Sequence, residues 1–128
     1  MPVADAIEHK CKKHGAQYTR NGTTITVQPK DGRGFPVTYS FTNGRHCVSY
    51  LGWHERFEGE TEALNCFAFG LSGGCKLQVW RKGSFPYKWI VYSKDIAGNW
   101  KEDSRVGLFL FPYWKKTTIT LLQNDLIN

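Results

Sequence analysis

ETEALNCFAFGLSGGCKLQVW, residues 60–80, changes its period at Gly73-Gly74. Before the glycines, Leu64, Phe67, Ala68 and Leu71 recur at i, i+3, i+4 and i+7, the stripe of a helix with one apolar face. Glu60 and Glu62 suit the start of that helix, where the dipole is positive. After the glycines, Leu77 and Val79 alternate with Lys76, Gln78, Trp80 and Lys82, the two-residue period of a half-buried strand. The stretch therefore predicts a helix handing over to a strand.

Working outward, a second helical pattern runs from Val3 to His14, with Asp5 near its start and Gly15 as its stop. Its apolar face is thin: Val3, Ile7 and Cys11. The rest reads as strands and turns. Asn21-Gly22 separates segments 17–20 and 23–28, and Asn43-Gly44 separates 35–41 and 45–53, both strong hairpin signals. Further strands are predicted at 76–81, 87–93, 106–111 and 116–123, with a loop at Ala97-Gly98-Asn99. Residues 106–111 are apolar on both parities, which predicts an interior strand covered on both faces. The order helix, strands, helix, strands gives a single α+β domain over residues 1–128 with an antiparallel sheet and two helices. Phe35-Pro36 and Phe85-Pro86 each open a strand, which raises an internal duplication of about sixty residues, though strand punctuation explains both motifs.

Composition agrees with a folded core: 41% of the 128 residues are hydrophobic and 15% aromatic, against the low hydrophobicity that disorder needs. No apolar run approaches the ~20 residues of a spanning helix. No basic stretch followed by an apolar core opens the chain, so no signal peptide is visible and a cytoplasmic location is expected. Free thiols are then expected for Cys11, Cys47, Cys66 and Cys75. The net charge of +6 is uneven: Glu55 to Glu62 holds four acids and one base, leaving +9 on the remainder. Such a balance favours an anionic partner: nucleic acid, anionic lipid or an acidic protein.

Catalytic and metal motifs are weak. His9, Cys11 and His14 lack paired metal-ligand spacing, as do His46 and Cys47, so neither a metal nor a cofactor is expected. Neighbours on a strand face opposite ways, so His46 cannot serve Cys47 as a base. Gly32-Arg33-Gly34 and the Gly70 to Gly74 stretch match no phosphate loop. Glu55, Glu58, Glu60 and Glu62 read as solvated, helix-starting carboxylates, not an acid–base pair. Residues 82–89 fail the aromatic RNA-binding strand pattern, because Ser84 stands where a ring is needed and Pro86 interrupts.

What remains is flat rings interleaved with cations. Trp80, Arg81 and Lys82, then Trp89 beside Lys88, then Trp114, Lys115 and Lys116 are the candidate ligand-binding residues. In that pattern single-stranded nucleic acid stacks its bases on rings and meets cations with its phosphates. The expectation is a small basic binding module, not an enzyme, with single-stranded nucleic acid ahead of an acidic protein or self-association as a homo-oligomer. The alternative is a small-molecule or catalytic pocket lined by the surplus aromatics. A third reading sets Tyr113 and Trp114 at a lipid interface beside their lysines.

Overall fold

The structure, a computed structural model, describes residues 2–126. Helix α1 (Val3–His14) leads into strands β1 (Tyr18–Asn21), β2 (Thr24–Val27), β3 (Val37–Thr42), β4 (Arg45–Tyr50) and β5 (Trp53–Phe57). Helix α2 (Glu60–Leu71) follows, then β6 (Cys75–Lys82), β7 (Phe85–Lys94), β8 (Trp100–Gly107) and β9 (Thr117–Gln123). The fold is α+β in the expected order, but the strands form two antiparallel sheets: a meander β1-β2-β3-β4-β5 and a second sheet β8-β7-β6-β9. The sheets differ in strand number and order, with Phe35-Pro36 just before β3 and Phe85-Pro86 at the start of β7. Among the described residues no helix is long and apolar enough to cross a membrane.

Local chemistry explains the first sheet. Asn43 at φ 54 and Gly44 at φ 76 form a two-residue turn with both residues left-handed, the geometry that matches strand twist and that Asn-Gly favours. Ile25, Val27, Val37, Tyr39, Val48 and Tyr50 alternate onto one face and are fully or almost fully buried. Both helices lie against this meander, α1 on β2 and α2 on β3, β4 and β5. Helix α1 buries Val3, Ala4, Ile7 and Cys11, and Gly15 closes it in the left-handed conformation. Arg20 of β1 grips its outer side, with Nη2 2.7 Å from Asp5 Oδ1 and Nη1 3.0 Å from Glu8 Oε1. The Tyr18 hydroxyl donates to Glu8 Oε2 at 3.0 Å.

Helix α2 buries Ala63, Phe67, Gly70 and Leu71, while Leu64 and Ala68 are half-buried. The buried face is thus rotated from the expected stripe. The cause is Gly70: the Tyr50 ring lies so close that an added Cβ would meet its Cε1 at 2.3 Å. A glycine counts as a gap in a hydrophobic period, yet here it is buried in close contact with a ring.

The largest departure is at residues 106–111. They are not an interior strand. Strand β8 begins earlier, at Trp100, and its last rung is Gly107 opposite Lys88. Beyond it Leu108 N–H donates to Tyr87 O at 2.7 Å, and Phe109 is 95% and Leu110 80% exposed. Residues 108–116 are a loop. The true strand, WKEDSRVG, was hidden by charge, because it is a sheet edge, and charged residues are a usual protection for edges.

The sheets share one core, and the chain end locks them together. Asn124, 2% exposed, accepts from Phe35 N–H at 3.0 Å and donates to Phe35 O and Gly70 O, each at 2.9 Å. Gln123 N–H donates to Arg33 O at 2.7 Å and Leu126 N–H to Leu71 O at 2.9 Å.

Three expectations follow for stability. Phe67→Ala removes a buried ring and should cost about 3–5 kcal/mol in urea melts; a loss below about 1 kcal/mol would place the ring at the surface. Asn124→Ala strips partners from three buried backbone groups and should cost about 1–3 kcal/mol for each group left unpaired; a neutral result would show the lock to be dispensable. The Glu8 carboxyl is held below the usual range, first by the Tyr18 hydroxyl and then by Arg20, against a desolvation that opposes them. Its contribution is present above the ordinary glutamate pKa of about 4.3, and is lost as pH falls through the lowered folded value. Glu8→Gln should therefore lower stability at neutral pH and flatten the acid limb of a pH–stability curve; parallel curves would exclude the linkage.

Candidate functional site

Alternation along β6 divides the second sheet. Cys75, Leu77 and Val79, with Trp89 and Val91 of β7 and Leu122 of β9, face the core. The opposite face is partly open to solvent: Ile119 is 47% and Leu121 52% exposed, whereas Ile90 at its centre is buried and Trp80, Lys88, Tyr92 and Trp100 are half-buried. Register sets its side chains in rows. Trp80 lies between Lys88 and Ile119, Gln78 between Ile90 and Leu121, and Lys76 between Tyr92 and Gln123. On the β8 side, Tyr92 faces Glu102 and Lys94 faces Trp100.

Two rings on this face carry cations. Lys88 Nζ sits 3.8 Å from the Trp80 ring centroid. The Trp100 ring takes Lys76 Nζ at 4.2 Å and Lys94 Nζ at 5.1 Å. Trp80 is fixed from the side: its Nε1–H donates to Gln78 Oε1 at 2.8 Å, and the Tyr92 hydroxyl donates to the same oxygen at 3.1 Å. One carboxamide thus holds two rings. Arg105 is neutralised by Glu102, through bonds of 2.8 and 2.5 Å, whereas Lys76, Lys88 and Lys94 make no ion pair among the described residues. The rows of Trp80 and Trp100 stand six residues apart along β7, roughly 20 Å of strand.

The seven residues expected to bind ligand are scattered over three places. Trp80 is on the open face. Arg81 points the other way, where its Nη1 donates to Thr120 Oγ1 at 3.1 Å. There it lines a groove of about 470 Å³ with Thr26, Thr38, Leu51 and Trp89. Trp89 is 8% exposed, its ring pressed on Gly52 so closely that a Cβ there would lie 2.2 Å from Cζ2. That ring is a core side chain. Lys82, Lys115 and Lys116 do come together, at the β6–β7 turn: Gly83 N–H donates to Lys116 O at 2.8 Å, the Lys115 side chain crosses Gly83, and Lys82 Nζ donates to Thr117 Oγ1. Trp114 stands 71% exposed in the adjoining loop. The sequence marks Trp80 between lysines as odd, but its cation Lys88, and the Tyr92 and Trp100 that share the face, come from other strands, and only register reveals them.

The aromatic-pocket alternative finds little support. The 470 Å³ groove has Trp89 as its one ring, and a second cleft of about 430 Å³ is polar, lined by Lys30, Asp31, Arg33, Asn124 and Asp125 among others. Burial pushes the Cys75 thiol up to about 12 and the Cys66 thiol up to about 11, so both are protonated at neutral pH and poor nucleophiles. His46 turns inward, its Nδ1 2.6 Å from the Tyr39 hydroxyl, away from Cys47. Among the described residues no three His, Cys, Asp or Glu side chains are grouped to hold a metal ion. Compared with family models, curated proteins and solved structures, the chain matches none of them.

Proposed function

We propose that this chain is a small basic binding module, and that the open face of the second sheet holds a single strand of nucleic acid. The observation that carries the reading is the Trp80–Lys88 pair, a ring fixed at its edge by Gln78 with an unneutralised ammonium over its face. A base stacking on that ring displaces the lysine, which then meets the adjoining phosphate; ring and cation thereby serve one nucleotide. Trp100 with Lys76 and Lys94 repeats the arrangement at the far end of the face. Bases have a π-face whatever their identity, so such a platform binds with little sequence preference. Lys82, Lys115 and Lys116 extend the cationic surface beyond the Trp80 end. A cytoplasmic location is part of the proposal, supported by four unpaired cysteines, the state that reducing compartments maintain.

One observation favours a second reading, self-association. The bond from Gly83 N–H to Lys116 O sets the paired rungs of β6 and β9, so the N–H groups of Ile119 and Leu121 point to the outer edge of β9. That edge carries no charge from Thr117 to Gln123, whereas β8 carries Lys101, Glu102, Asp103 and Arg105, with a bulge at Asp103. An uncharged edge is a template for strand addition.

Fluorescence anisotropy with labelled oligonucleotides across a salt series tests the first reading. Affinity should fall with a log–log slope of about −0.7 per phosphate neutralised, and Lys88→Ala should flatten that slope by about one such step. Trp80→Ala should weaken binding by about 1–3 kcal/mol with the slope kept, since stacking releases no counterions. Absence of binding at tens of micromolar protein in low salt would end the nucleic-acid reading, because even non-specific binding reaches about that range at physiological salt.

A further inference from the structure

The loop joining β8 to β9, residues 108–116, concentrates exposed apolar side chains. Phe109 is 95%, Leu110 80%, Tyr113 73%, Trp114 71% and Leu108 43% exposed. The loop is braced. Phe111 stacks on Tyr87 with centroids 4.4 Å apart, Tyr113 N–H donates to Phe111 O at 2.8 Å, and Lys115 N–H to Pro112 O at 3.1 Å. Its feet are tied by Leu108 N–H to Tyr87 O and by Gly83 N–H to Lys116 O. A braced loop that holds a Phe and a Leu out in water is explained by something that receives them.

The ordering of the side chains identifies the receiver. The most exposed are purely apolar, Phe109 and Leu110. Next come the amphipathic rings Tyr113 and Trp114, and at the root stand Lys115 and Lys116 beside Lys82. Hydrocarbon, interface and phosphate follow one another in that order across one leaflet of a membrane, where Trp and Tyr gather at the boundary and basic residues lie outside it. Neither residues 107–117 nor the 82–88 turn contains an acid, so the charge complement is an anionic leaflet.

We propose that this loop inserts into the surface of an anionic bilayer, with Phe109 and Leu110 reaching the acyl boundary, a depth of about 5–10 Å, while Lys82, Lys115 and Lys116 meet lipid phosphates. The inference shares Lys82, Lys115 and Lys116 with the nucleic-acid reading but uses no residue of the Trp80 platform. Vesicles of phosphatidylcholine, with or without one-third phosphatidylserine, test it by co-sedimentation of the full chain. Wild type should pellet with the anionic vesicles and far less with the neutral ones. Phe109→Asp with Leu110→Asp should abolish pelleting, and Lys115→Ala or Lys116→Ala should each weaken it about fivefold. Should the double aspartate variant melt early, Phe109→Ser replaces it. Trp114 emission, taken as wild type minus Trp114→Phe, should shift to the blue on anionic vesicles. No pelleting at about millimolar lipid, a range where even one weak anchor binds, overturns the proposal. So does pelleting that survives loss of both Phe109 and Leu110. A wild-type dimer that the loop variants dissolve, with no lipid bound, also overturns it and makes a second copy the occupant.

Discussion

The arrangement of the two sheets depends on one carboxamide. Asn124 leaves the last strand and enters the core, where it satisfies both backbone groups of Phe35, just before β3, and the carbonyl of Gly70 near the end of α2. A polar side chain at that depth is favourable only while every bond is made. Three elements far apart in the chain must therefore be in place at once, which is how a short polar residue fixes tertiary geometry that apolar contacts leave adjustable. Phe35 is fully buried as a result, and its ring packs on Tyr50 at 5.4 Å, which in turn fills the notch at Gly70. Second sheet, helix and first sheet meet along that line.

Much of the fold was legible because local signals and tertiary structure agree. Asn43-Gly44 is a tight turn in sequence and in space, both helices begin and end within a residue or so of their expected positions, and the alternation of residues 76–82 assigns Leu77 and Val79 to the core correctly. The failures share one physical cause: burial was inferred from apolarity. Residues 108–110 are apolar but exposed, and 100–105 are charged but strand. Trp89 looked like surface because Lys88 and Tyr87 flank it, yet parity sends it inward onto Gly52. The open face itself was only half visible. Its β6 residues could be read from their period, but Lys88, Tyr92 and Trp100 join them through register, and a chain alone does not state register.

The two sheets treat their faces differently. The meander spends its apolar face on both helices. The second sheet buries one face against the same core and covers the other only with its own side chains, lysine ammoniums seated over tryptophan rings. A cation over a ring keeps the ring from collapsing onto a neighbour and keeps the charge close to the surface. Lys76, Lys88 and Lys94 are thus held in place by aromatic contacts. The acidic counterweight, Glu55 to Glu62, lies on β5 and the start of α2, outside the second sheet.

The contrast between the two edges of the second sheet limits how the molecule can grow. Strand β9 offers bare backbone groups at Ile119 and Leu121, while the other edge bends at Asp103 and bristles with charge. If two molecules join β9 to β9, the contact is self-complementary and uses up the receptive edge on each. What remains at both ends of the eight-stranded sheet is β8, which refuses a further strand. Growth through this sheet therefore terminates at a pair, and an edge that would otherwise seed an open-ended fibre becomes one with a built-in stoichiometry.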